Sequence, residues 1–210
     1  MYSKIFVTLA VCCGWATQVL GAATTCETDE QSLWANRPID TVLESKLATL
    51  FQCVDTSDPN QYKLIDASAC NWFVGQALAT GWGFADFKNG DGFFTANELA
   101  SGLANGQFSH WTSIGTADQQ ASNDTAAIKT TTGNPVIAVW PSSGPNGHVA
   151  LILPGGLANS PSWNLNVPRS ASVSLDDINM AYIGCRLSNA FGADKIGQVQ
   201  YYFRDLLPFP

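Results

Sequence analysis

The sequence predicts an α+β domain in which helices come first and an antiparallel sheet follows. Three observations carry this. Between residues 41 and 104, apolar residues recur at helical spacing behind recognisable N-caps. From residue 134 to 204 they fall instead in short runs rich in β-branched residues, bounded by Gly and Pro. The segment joining the first two of those runs is turn-rich, which suits a hairpin, and helices followed by strands is the order of an α+β chain.

The elements follow in order. Residues 41–54 (TVLESKLATLFQCV) read as an amphipathic helix with Asp40 as N-cap and Val42, Leu43, Leu47, Leu50 and Phe51 at helical spacing. Ser57-Asp58-Pro59-Asn60 breaks the pattern. Residues 68–78 form a second helix, with Ser68 as cap and Cys70 in the first turn. Trp72, Phe73, Val74, Ala77 and Leu78 make it apolar enough to be central and buried, and Gly81-Trp82-Gly83 ends it. Residues 95–104 form a third, in which Thr95 followed by Glu98 is a capping box. Residues 123–132 are polar and read as a loop. Residues 134–140 and 148–153 are strands joined as a hairpin by 141–146; 163–167, 181–185 and 199–204 are further strands.

Composition narrows the function class. Hydrophobic residues make up 46% of the 210-residue chain and charged residues 13%, so it can repay the entropy of folding. The net charge of −7 and the absence of any Lys/Arg run argue against nucleic-acid binding. Lys4, the short apolar run 5–15 and the small residues Gly21, Ala22 and Ala23 form a secretory leader, cleaved after Gly21 or after Ala23. This divides the chain into a signal peptide, 1–23, and one domain, 24–210, expected to be secreted, monomeric and not inserted in a membrane.

Six cysteines occur, and Cys12 and Cys13 leave with the leader. Cys26, Cys53, Cys70 and Cys185 remain, an even number that suits two disulfides. The competing arrangement keeps Cys70 as a thiol; its simplest form pairs Cys26 with Cys53 and leaves Cys185 buried and reduced.

Cys70 carries the chemical interest. A thiol in the first turn of a helix meets backbone N–H groups and the positive end of the helix dipole, and both favour the nucleophilic thiolate. His148 follows Gly147 and opens an apolar strand, where an imidazole can point into a cleft. A nucleophile on a helix start with a later His on a strand is the order of papain-like enzymes. A third group should orient the imidazole. Asn164 and Asn166, then Ser160 and Ser162, are the candidates on the following strand, and Asn164 is the one adopted. Trp72, Trp82 and His110 are candidate substrate contacts, with packing as the competing reading.

Cys70-Asn71-Trp72-Phe73-Val74 followed by Gly147-His148-Val149-Ala150-Leu151-Ile152 resembles the NlpC/P60 and CHAP superfamily and the related secreted amidase effectors. The resemblance covers about residues 66–204. It implies a papain-like fold, Cys70 as nucleophile, His148 as base, and cleavage of an amide bond in peptidoglycan or its peptide fragments, with no metal or organic cofactor. Ala69-Cys70-Asn71-Trp72 departs from the Asp-Cys-Ser-Gly of many NlpC/P60 members and leaves the bond cleaved open. The alternative is a non-enzymatic secreted binding module with all four mature cysteines disulfide-bonded.

Two further motifs stand apart. Residues 87–98 (FKNGDGFFTANE) resemble a calcium-binding EF-hand loop, with Asn89, Asp91, Gly92 and Glu98 at ligand-loop positions, but Phe87 occupies the first. A structural turn is the favoured reading. Asn123-Asp124-Thr125 is a glycosylation sequon.

Overall fold

The computed structural model describes Leu33, Arg37 and residues 39–51, 69–173 and 181–206. The leader, Cys12, Cys13, Cys26, Cys53, Ser68 and the 57–60 break lie outside the described residues.

The chain mixes helices with an antiparallel sheet. α1 spans Thr41–Phe51 and α2 Ala69–Trp82. A two-stranded hairpin, β1 (Lys88–Asn89) and β2 (Gly92–Phe93), leads to α3, Ala96–Ala104. Then come β3 (Trp111–Thr116), α4 (Gln120–Thr131), β4 (Val136–Trp140), β5 (His148–Ser160), β6 (Leu165–Ser172), β7 (Tyr182–Arg186) and β8 (Gln200–Arg204). Six strands form one sheet in the order β3-β8-β4-β5-β6-β7, every pair antiparallel.

Two of the three expected N-caps form among the described residues. The Asp40 carboxylate accepts hydrogen bonds from the Val42 and Leu43 amides, and both bonds of the Thr95–Glu98 capping box are present. Gly83, at φ +77°, closes α2 in the left-handed region that glycine adopts without strain.

Two expectations fail. Residues 123–132 are not a loop but most of α4. The residues α4 buries are Ser122, Asn123, Ala126, Ala127 and Thr130, a helical stripe made of small and polar side chains. Ile128, its large apolar residue, is exposed. β5 is also far longer than the expected 148–153. Its pairing with β6 runs from Leu151↔Ala171 to Leu153↔Arg169 and resumes at Leu157↔Pro168. Pro154, Gly155 and Gly156 are therefore a bulge inside the strand, not its end.

The sheet is covered on both faces. On one, Ile137, Val139, Val149, Leu151 and Leu153 pack against Leu43 and Leu47 of α1, Phe73, Val74 and Leu78 of α2, and Leu99 of α3. On the other, Val136, Ala138, Ala150, Ile152 and Tyr201 pack with Ala126 of α4, Leu187 and Phe191.

Asn123 anchors α4 to this second face. Its Nδ2 donates to the Ala117 and Gln119 carbonyls, and its Oδ1 accepts from the Tyr201 hydroxyl at 2.7 Å. Burial raises the Tyr201 pKa, which keeps that hydroxyl a donor. The sequon asparagine is thus fully buried and hydrogen-bonded. Asn123→Ala should cost about 3 kcal/mol in urea unfolding, because it removes these bonds and orphans a buried hydroxyl. The same substitution made in Tyr201→Phe should cost about 1 kcal/mol less; equal costs would dissociate the two residues.

Candidate active site

The fold separates the two residues of the expected catalytic pair. Cys70 sits in the first turn of α2, fully buried, and is a reduced thiol. It belongs to the apolar cluster that includes Val149, Leu151 and Leu153. His148 opens β5 one residue before Val149, so its side chain leaves the opposite side of the strand. Its neighbours agree. The imidazole packs edge-on against Phe191 with ring centroids 5.1 Å apart, and Phe191 belongs to the second-face cluster with Ala150 and Ile152. Gly147, the residue before, faces Ala96 and Asn97 of α3 on the first face. Among the described residues, the hydrogen bond of His148 goes to Ser172 and not to Cys70.

Ser172 is the partner the sequence reading missed. Its Oγ lies 2.8 Å from His148 Nε2. Ala171 and Val173 on either side of it belong to the first-face cluster, so the hydroxyl of Ser172 must point to the face of His148. The side chain is buried.

Asn164 cannot orient the imidazole. It is exposed, in the left-handed conformation (φ 53°), in the turn that joins β5 to β6. His148 begins β5 and Asn164 follows its far end, so a 13-residue strand, roughly 40 Å if fully extended, runs between them. The long hairpin brings the end of β6, not its beginning, back to His148. Asn166, Ser160 and Ser162 are at the same distant end.

The candidate substrate contacts also disperse. Trp72 packs edge-on against Phe93 at 6.1 Å. Trp82 closes the far end of α2, about 18 Å from Cys70 by helical rise, and its Nε1 donates to the Gly133 carbonyl. His110 precedes β3, and its carbonyl accepts from the Asp205 amide. That is the end of the sheet opposite His148, because Trp111 pairs with Arg204 whereas Val139, beside Trp140, pairs with Gln200.

Cys185 is disulfide-bonded, which corrects the expectation that it stays reduced. The EF-hand-like segment is the β1–β2 hairpin followed by the α3 cap. Phe87 is buried and stacked on Trp111 at 4.8 Å. The Glu98 carboxylate accepts from the Thr95 amide and hydroxyl. The neighbouring Asp86 binds Arg204 and Trp111 Nε1. No group of three or more His, Cys, Asp or Glu side chains placed to hold a metal occurs among the described residues.

The electrostatics of His148 are set by burial first and by the Lys195 ammonium second; together they lower its pKa from 6.5 to about 4. The imidazole is therefore neutral at pH 7. Unfolded, it titrates at its ordinary value. Between the two values the unfolded chain holds a proton that the folded chain does not, so stability rises with pH there. The contribution is complete above about pH 6.5 and lost as pH falls through about 4. A displacement of that size corresponds to about 3 kcal/mol, reduced to about 2 kcal/mol by solvent at a half-buried ring. Urea midpoints of the wild type and His148→Gln should thus converge by this amount between pH 7 and pH 4. Parallel pH curves for the two proteins would contradict this assignment.

No helix among the described residues is long and apolar enough to cross a membrane. No family model matches the chain, and no curated protein matches it.

Proposed function

We propose that the chain is a secreted thiol hydrolase of the NlpC/P60–CHAP kind, with a papain-like fold, that cleaves an amide bond of peptidoglycan. The observation that carries this reading is Cys70, a reduced thiol in the first turn of the apolar helix α2. The α+β architecture with an antiparallel sheet is compatible with it. In the reaction, the Cys70 thiolate attacks the amide carbonyl carbon, the C–N bond breaks, and the amine leaves with a proton. Water then hydrolyses the thioester and regenerates the thiol. The helix-start amides would favour the thiolate, and the apolar surroundings of Cys70 oppose it.

This arrangement supplies no base, because His148 faces the other side of the sheet, and it leaves Cys70 fully buried. That observation favours a second reading, a secreted binding module without catalysis. Digestion of purified peptidoglycan by wild type, Cys70→Ala and His148→Ala separates them, with fragment masses identifying the bond. Release lost in both variants supports the thiol–imidazole enzyme, and release lost only in Cys70→Ala supports a thiol enzyme with another base. Binding without release by any of the three proteins supports the module.

A further inference from the structure

We propose that Ser172 locks His148 as the tautomer protonated at Nδ1, so that this imidazole presents a hydrogen-bond donor and not a base. The inference does not depend on the hydrolase reading. It begins with Ser172, whose side chain is turned to the second face of the sheet and buried at 2% exposure. A hydroxyl there needs an acceptor, since a buried O–H without one costs the full desolvation of the donor. Its hydrogen-bond partner is His148 Nε2, at 2.8 Å.

Two arrangements fit that distance. If Nε2–H donates to Oγ, the Ser172 proton is left buried without an acceptor, and the Nδ1 lone pair is left as well. If Oγ–H donates to Nε2, the hydroxyl is satisfied and one group remains, the Nδ1–H of a half-buried ring. The second arrangement leaves fewer orphaned groups, and the one it leaves is the more accessible. Phe191 packed against the ring holds the imidazole in place.

The consequence is chemical. With its Nε2 lone pair engaged and its proton on Nδ1, His148 offers an N–H to an incoming oxygen. Lys195 is close enough to disfavour charging the ring, and its ammonium lies 4.9 Å from the centroid of the Trp140 ring, the cross-strand neighbour of His148. A neutral N–H beside an ammonium suits a carbonyl or carboxylate oxygen as ligand.

The chain has two histidines, so ¹⁵N-histidine labelling with His110→Gln to assign the signals reads His148 directly. At pH 7 the full-length wild type should show about a tenfold excess of the Nδ1–H form. Ser172→Ala should shift that ratio toward Nε2–H by about the same factor, and Ser172→Thr should preserve it. A wild-type imidazole protonated at Nε2, or a ratio unchanged in Ser172→Ala, would overturn the proposal. If Ser172→Ala does not fold, the wild-type tautomer and Ser172→Thr decide it. None of these readouts requires activity, so loss of the hydrolase reading leaves the test intact.

Discussion

Cys70→Ala should reduce peptide release from purified peptidoglycan by at least about 1000-fold while leaving the protein folded. The size of the effect follows from what the thiol does. In the proposed reaction, removing it deletes the atom that forms the covalent intermediate. The structural cost is small by comparison. Cys70 is fully buried against Phe73, Val74 and their neighbours, where it behaves as a small apolar side chain, so truncation to Ala should cost about 1 kcal/mol. A circular dichroism spectrum and urea midpoint close to wild type would show that lost release is lost chemistry. Cys70→Ser should be equally inactive, because a serine hydroxyl is a far weaker nucleophile than a thiol at neutral pH. Equal release by wild type and both variants would remove the nucleophile assignment. Thiol counting under denaturing, non-reducing conditions gives an independent check: Cys70 should be alkylated, and Cys185 only after reduction.

The sequence was most legible where large side chains mark one face. Leu43 and Leu47 announce α1, Phe73, Val74 and Leu78 announce α2, and Thr95 with Glu98 announces the start of α3. It was silent at α4, where the buried stripe is Ser, Asn, Ala and Thr and carries no hydrophobic period. It misled at Pro154-Gly155-Gly156, residues that usually end a strand but here form a bulge within β5. That error put the hydrogen-bond partner of His148 at Asn164 instead of Ser172. The failure to pair Cys70 with His148 has a different cause. β5 is apolar at Val149, Leu151 and Leu153 on one side and at Ala150 and Ile152 on the other, because the sheet is covered on both faces. Such a strand shows no alternation, so sequence spacing cannot tell which face looks at α2.

Glu44→Gln should destabilise the protein by about 3 kcal/mol. Glu44 on α1 forms a two-pronged ion pair with Arg169 on β6, through Oε1 to Nη1 and, at 3.2 Å, through Oε2 to Nη2. The side chains are only 20% and 8% exposed, so removing the carboxylate takes a charged hydrogen-bond partner from a guanidinium in a poorly solvated place. The backbone is shaped around that guanidinium. A Cβ on Gly155 would lie 2.8 Å from Arg169 Cδ, and one on Gly184 would overlap the guanidinium itself. Gly184 also has φ +92°, so Gly184→Ala adds backbone strain to the overlap and should cost about 2–4 kcal/mol. Because these residues share one network, Glu44→Gln combined with Gly184→Ala should cost less than the two separately. The pair also joins α1 to the strand that carries Ser172. α1 packs on α2, which carries Cys70, while Arg169 lies three residues before Ser172, which holds His148. If this ion pair fixes α1 and α2 on the sheet, Glu44→Gln should speed alkylation of buried Cys70 in the folded protein. It should leave the His148 tautomer ratio unchanged. Slow alkylation identical to wild type would show that α2 is held by its apolar contacts alone.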